Sequence, residues 1–285
     1  MNSTFSTALC LAGISALAFA DNPFNKSPRF EFAPHVMQKN PKDGSGMTHE
    51  ICSRSVDRLL LENFDFNGPL EENTGTWTDS TFSGWERIFW KDYRPTDQSL
   101  DESARKTDTE WKRIKDVFND GSNSMWGATG ISFEDPTQGY LGDCWFIAAS
   151  SVVSQVPSRI KKVFHTEALN SAGVYAVDLH MMGIPVTVTV DDYLPFWKDA
   201  WGGKKLVYGQ VGKDGALWMP ILEKAGAKLF GSYEHLVSGS MGPAIQTLTG
   251  APYFSFKHGD YSVDGLWDFI NERFNSNWMV TCGSF

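Results

Sequence analysis

The stretch QGYLGDCWFIAAS, Gln138–Ser150, holds one of the chain's 4 cysteines between an acidic residue and a tryptophan, with an apolar run behind it. That run, CWFIAASSVVSQV from Cys144 to Val156, is small or apolar on most faces and is followed by Pro157. It predicts a buried helix ending near the proline. Gly142 lets the backbone turn sharply just before Cys144. The thiol therefore falls on the first helical turn, where unpaired N–H groups and the helix dipole favour a thiolate. This is how a nucleophile is presented, yet cysteine is equally a small buried hydrophobe. Gln138 adds a second element. Its amide, six residues upstream across a glycine turn, can point back beside the sulfur. With the Cys144 N–H it would form an oxyanion hole for acyl transfer.

The rest of the chain is compatible with an enzyme. It has 285 residues, 41% hydrophobic and 21% charged, enough for one large domain or two lobes. A net charge of −9 argues against a general nucleic-acid binder and suits solubility, with a weak pull on divalent cations. Aromatics at 14% and 26 glycines suit a packed core with tight turns better than a helical bundle. Cys10, Cys52, Cys144 and Cys282 have no CxxC spacing and no clustered His, so they read as free thiols rather than as zinc ligands or a disulfide framework.

The N-terminus contains an apolar stretch, Ala8–Ala20, ending in Ala18-Phe19-Ala20. The pattern reads as a signal peptide over residues 1–20, although no Lys or Arg precedes it; a core-packed helix is the other reading. The stretch is too short to span a membrane, and no other segment approaches that length. Residues 21–81 read as a lead-in, irregular except for one short helix within Ile51–Phe64.

From Trp85 the chain is dense in aromatics, and Met125–Asp143 is broken by Gly and Pro into a loop. VYAVDLHM (Val174–Met181) and IPVTVTVDDYLP (Ile184–Pro195) are β-branched strands separated by Met182-Gly183. WMPILEKAGAKLF (Trp218–Phe230) is the clearest amphipathic helix, with Ile221, Leu222, Ala225, Lys228 and Leu229 at helical spacing and Gly231 at the C-cap. GLWDFINERF (Gly265–Phe274) is a second, and NWMVTC (Asn277–Cys282) begins a strand. Helix, strands, helix and a new strand make an α+β arrangement rather than regular βαβ winding.

QGYLGDCWF resembles the active-site signature of the calpains, the calcium-dependent papain-like cysteine proteases. Four further motifs resemble that family in order: EWKRI (Glu110–Ile114), VDDYLP (Val190–Pro195), LWMPILEKAGAKLFGSYEHL (Leu217–Leu236) and QTLTGAPY (Gln246–Tyr253). The likeness runs from about Phe82 to Phe285. It implies a papain-like fold with a complete, mainly helical first lobe over residues 82–248 and the start of a β-rich second lobe over 249–285. It implies a calcium-dependent endopeptidase acting on proteins or peptides, with Cys144 as nucleophile and Gln138 in the oxyanion hole. Trp145 matches a tryptophan at the cleft, and core packing is its plainer role. The family's first-lobe calcium ligands, carried over, fall on the carbonyls of Ala128 and Gly130 and on Asp135 and Asp214. Asp135 before Pro136 also simply starts a turn. Many members carry Thr-Arg-Thr-Asp where this chain has Ser132-Phe133-Glu134-Asp135, without the basic residue.

A cysteine nucleophile needs a base and an orienting group, which papain-like enzymes place about 130–150 residues after the Cys. The histidines are His35, His49, His165, His180, His235 and His258. None stands in the family's Gly-His-Ala context, which follows the strand matched here by NWMVTCGSF. The catalytic His and Asn are therefore expected outside this sequence. A non-catalytic, calcium-responsive binding module is the competing expectation. Localisation divides between the secretory pathway, from residues 1–20, and the cytoplasm, as for typical calpains.

Overall fold

The computed structural model describes residues 76–82, 109–198 and 204–283. The signal-like segment, the short helix within Ile51–Phe64 and the aromatic stretch from Trp85 lie outside the described residues.

The order of elements is β1 (Thr109–Arg113), α1 (Ile114–Val117), α2 (Cys144–Ser154), α3 (Pro157–Lys161), β2 (Val174–Met181), β3 (Ile184–Asp191), β4 (Tyr193–Trp197), α4 (Trp218–Phe230), α5 (Met241–Thr249) and α6 (Val263–Asn275). Short 3₁₀ turns cover Glu234–Leu236 and His258–Asp260. The arrangement is α+β, as the pattern of motifs predicts. α2 stops at Ser154, and Pro157 opens α3 at a position where its missing N–H costs nothing.

The strands form two antiparallel pairs among the described residues. β2 and β3 make a hairpin from Val174↔Asp191 to Met181↔Ile184. Its two-residue loop, Met182-Gly183, takes φ of 52° and 85°, the positive values that match strand twist in a tight hairpin. β1 pairs with β4, Thr109 facing Trp197 and Arg113 facing Tyr193.

α4 runs through the middle. All of its 13 residues are buried, and Gly231 closes it at φ 107°. The sequence predicts a stripe; the structure encloses the whole helix. α4 packs on β2 and β3, and α5 bridges α2 and β2. The polar face of α4 is satisfied by ion pairs. Lys224 Nζ meets Asp191 and donates to the Tyr193 carbonyl at 2.8 Å, while Lys228 Nζ lies 3.0 Å from Asp79 Oδ2 and 2.8 Å from the Thr189 carbonyl. Arg113 completes the set: it pairs with Asp192 and donates to the Trp77 carbonyl at 2.7 Å. The motifs EWKRI, VDDYLP and LEKAGAK are thus joined by buried charge pairs. Residues 76–82 join the same network, with the Asp79 N–H 2.8 Å from Asp191 Oδ2 and Phe82 in the core. Burial alone would raise Asp79, but Lys228 and the donors around it hold its carboxyl below the ordinary range.

The region after α5 differs. None of the α6 residues is buried, and residues 278–283 form no strand where NWMVTC predicts one. A strand exists only with a ladder partner, and none lies beside it among the described residues. No described helix is long and apolar enough to cross a membrane.

Candidate active site

Two backbone segments lie side by side to make the site. The Tyr140 N–H donates to the Val207 carbonyl at 2.8 Å, and the Gln210 N–H donates to the Thr137 carbonyl at 2.9 Å. The approach is so close that a Cβ on Gly139 would sit 1.9 Å from the Tyr208 carbonyl oxygen. Only glycine fits there. Gln138 is carried on this lacing. Its Nε2 donates to the Leu141 carbonyl at 2.6 Å, which fixes the side chain along the turn leading to the thiol and uses one of its two amide protons.

Cys144 follows as the first residue of α2, exposed and unbridged. The Asp143 carbonyl accepts from the N–H groups of Phe146 and Ile147, at 2.8 and 3.1 Å. Asp143 stands at the N-cap, where an aspartate ordinarily folds its side chain onto the first turn. Here no such cap bond forms. The Asp143 carboxyl is fully buried on the other side, and both its oxygens lack an N–H donor. The N–H groups at the start of α2 are therefore left uncapped beside the Cys144 sulfur, the setting in which a helix end can hold an oxyanion.

Trp145 is a core residue. Its indole N–H donates to the Leu236 carbonyl at 2.6 Å, and its ring meets Phe146 and Phe230 edge-on. A Cβ on Gly239 would come within 2.4 Å of that ring. The start of α2 is thus clamped from the 236–239 side as well, where the Ser238 N–H donates to the Gly142 carbonyl at 3.0 Å.

Among the described side chains, His165, His180 and His235 are engaged elsewhere. His165 pairs with Asp178 at 2.7 Å, His235 Nδ1 lies 2.9 Å from Ser232 Oγ, and His180 sits in β2 against Gly250. Among the described residues none hydrogen-bonds to the Cys144 thiol.

The four residues matched to the calcium site border one loop. Asp214 Oδ2 accepts from the Thr129 N–H and hydroxyl, at 2.8 and 2.7 Å, and these bonds hold its carboxyl below the ordinary range. The Ala128 N–H donates to the Asp214 carbonyl at 3.1 Å. Asp214 Oδ1 is shielded from solvent with no partner, and a Cβ on Gly127 would strike it at 2.1 Å. Gly130 takes φ 88°. Asp135, buried, uses Oδ2 to accept from the Ser132 N–H and the Trp218 indole at 2.8 and 2.9 Å. Each carboxylate thus spends one oxygen on the protein, a donor set of the oxygen type that calcium takes. No cluster of three His, Cys, Asp or Glu residues occurs among the described residues, so backbone carbonyls would have to supply the rest.

Sequence reasoning missed Glu223 and Asp143. Both oxygens of Glu223 stand 2.9 Å from the Gly209 N–H. Burial, then the Asp143 charge, raises Glu223 well above the carboxylate range. Burial pushes Asp143 up to about 7 against the hydrogen bond Glu223 gives it. A Glu placed three residues after a Pro in an apolar helix carries no local signal of this role.

A profile of the calpain family cysteine protease matches residues 77–285. The chain is 33% identical over 236 residues, 82% of its length, to the calpain-type cysteine protease ADL1 of Oryza sativa subsp. japonica, and covers 10% of that protein. It is 34% identical over 167 residues to calpain-5 of Caenorhabditis elegans, covering 55% of this chain and 24% of the other. It is 34% identical over 151 residues to the calpain-1 catalytic subunit of Sus scrofa, covering 52% and 20%. The chain spans a quarter or less of the length of these relatives. With the exposed Cys144 on an uncapped helix start and the family profile across most of its length, the chain belongs to the calpain family of cysteine proteases.

Proposed function

We propose that the protein is a calcium-dependent cysteine endopeptidase in which Cys144 is the nucleophile. The observation that carries this is the exposed thiol at the uncapped start of α2, with Gln138 anchored just ahead of it. The Cys144 Sγ attacks the carbonyl carbon of a peptide bond. The resulting oxyanion takes hydrogen bonds from the Cys144 N–H and from the second amide proton of Gln138. The leaving amine departs with a proton from a general acid, and water then cleaves the thioester to return the thiol. The acid and base role falls to a histidine with an orienting amide in the family's second lobe. Residues 82–248 serve as the first lobe and 249–285 as the entry to the second.

Ala128, Gly130, Asp135 and Asp214 would hold calcium, which supplies rigid positioning of the 127–135 loop rather than a chemical step. Substrates are proteins or peptides. Residues 1–20 are proposed as a secretory signal, with the cytoplasm as the alternative; N-terminal sequencing that finds Met1 intact would remove the signal.

Peptide cleavage by the complete gene product in calcium tests the central assignment. Cys144→Ala is expected to abolish turnover. Retained turnover in that variant would end the assignment. Calcium-linked partner binding with no turnover in the wild type would favour the binding-module reading.

A further inference from the structure

Asp143 and Glu223 lie at the junction of everything that places the nucleophile. Asp143 is the residue from which α2 starts, and its carboxyl is turned away from the helix into the core. Glu223, from the middle of α4, is also buried and meets it there. On its other side Glu223 takes the Gly209 N–H between its two oxygens, at 2.9 Å from each. Gly209 belongs to the segment laced to residues 137–140, through Tyr140 N–H to the Val207 carbonyl and Gln210 N–H to the Thr137 carbonyl. Glu223 therefore touches the Cys144 helix through Asp143 and the Gln138 loop through Gly209.

The chemistry at this junction is constrained. Two buried carboxylates in contact cannot both be charged without large cost, and two carboxylates alone have no proton to share. One proton between them removes a negative charge and creates a hydrogen bond that ties α4 to the start of α2. The neighbours that face the pair are the Tyr208 and Tyr233 rings, 4.7 Å apart, and Asp191 of β3, which is itself paired with Lys224.

We propose that Glu223 is a positioning residue: protonated, it donates to Asp143 while accepting from Gly209, and so fixes the Cys144 helix start in register with the Gln138 loop. This rests on the reading of Cys144 as nucleophile. Losing the proton would leave two like charges in contact behind the thiol and loosen both attachments. The pair enters this one-proton state as Asp143 gives up its own proton at about 7, while burial and the Asp143 charge hold the proton on Glu223 to higher pH.

The test uses the full 285-residue chain as wild type, Glu223→Gln and Glu223→Ala. The Gly209 amide resonance is followed in glycine-labelled protein between about pH 5 and 9, spanning the ordinary and the raised carboxyl range. Cys144 alkylation by iodoacetamide is followed by mass spectrometry, with Cys282 as the internal comparison. In the wild type the Gly209 amide shift is expected to titrate near neutrality. Glu223→Ala is expected to speed Gly209 and Tyr140 amide exchange about tenfold, the size of one lost buried hydrogen bond, and to change the Cys144 rate without changing that of Cys282. Glu223→Gln keeps a donor and an acceptor, so it is expected to rescue the exchange and the rate while removing the near-neutral titration. A Gly209 shift that does not move across this range, or a Glu223→Ala variant with unchanged exchange and unchanged Cys144 rate, would overturn the proposal. If Glu223→Ala does not fold, the loss or persistence of the Gly209 titration in Glu223→Gln decides it. A wild-type Cys144 no more reactive than Cys282 strikes the nucleophile reading instead, and leaves the Gly209 titration to judge the pair.

Discussion

α4 and α6 are both 13-residue helices with an amphipathic pattern, and they meet opposite fates. Every residue of α4 is buried and none of α6 is. α4 is enclosed because β2, β3 and the segments at 79 and 191 supply a counter-charge for each of its lysines. α6 keeps its aromatics outside, with Trp267 and Phe274 each 63% exposed. Its local order comes from a small cluster in which Phe256, Tyr261 and Phe269 meet edge-on or tilted and Arg273 lies 4.6 Å over Phe269. An apolar stripe states that a helix needs a partner. It does not state whether the partner is present.

The largest effect separating the two regions is expected from the enclosed charges. Lys224→Ala or Lys228→Ala leaves Asp191 or Asp79 buried without its cation, at a cost of about 3–5 kcal/mol. Urea denaturation measures it, and a loss below about 1 kcal/mol would mean that α4 is not enclosed as described. Gly139→Ala comes next, because its Cβ would meet the Tyr208 carbonyl at 1.9 Å. Separating the two laced segments should cost about 1–3 kcal/mol and slow peptide cleavage by the complete product. Unchanged cleavage would show that the Gln138 loop needs no such lacing.

A pH effect follows from the carboxyl pair inside the enclosed region. Burial raises both groups, so the folded state holds more protons than the unfolded chain. Stability contributed by the pair is full below the ordinary carboxylate value of about 4. The Asp143 share is lost as pH rises through about 7, and the Glu223 share persists to higher pH. Thermal midpoints between pH 5 and 8 should fall in the wild type and flatten in Glu223→Gln. A midpoint that rises over this range would contradict the raised pair. The smallest effect is expected in the exposed region. Trp267→Ser or Phe274→Ser should change stability by no more than about 0.5 kcal/mol while lowering binding of an apolar dye. A large destabilisation would show α6 packed on something.

Much of this was legible from residues alone. Periodicity located α4 and α6, an apolar run closed by Pro157 located α2, the Met182-Gly183 turn located the hairpin, and Gly231 marked a helix end. What escaped has a common cause. Lys224, Lys228, Asp191, Asp192, Asp143 and Glu223 are charged, and a charged residue in isolation reads as solvent-facing; its burial depends on partners distant in the chain. Asp143 reads as an N-cap because local propensity favours one, and tertiary contact with Glu223 overrides it. The strand expected at Asn277–Cys282 failed for the converse reason, since a strand is defined by its neighbour.

The central claim is that the start of α2 presents Cys144 as a nucleophile. The chain contains its own control, because Cys144 and Cys282 are both exposed and unbridged, and only Cys144 stands at a helix N-terminus. Residue-resolved alkylation of the native chain at neutral pH measures the two together. Cys144 reacting about tenfold faster or more, with the advantage lost on unfolding in urea, is the predicted result. Equal rates in the native state, or Cys282 reacting faster, would contradict it.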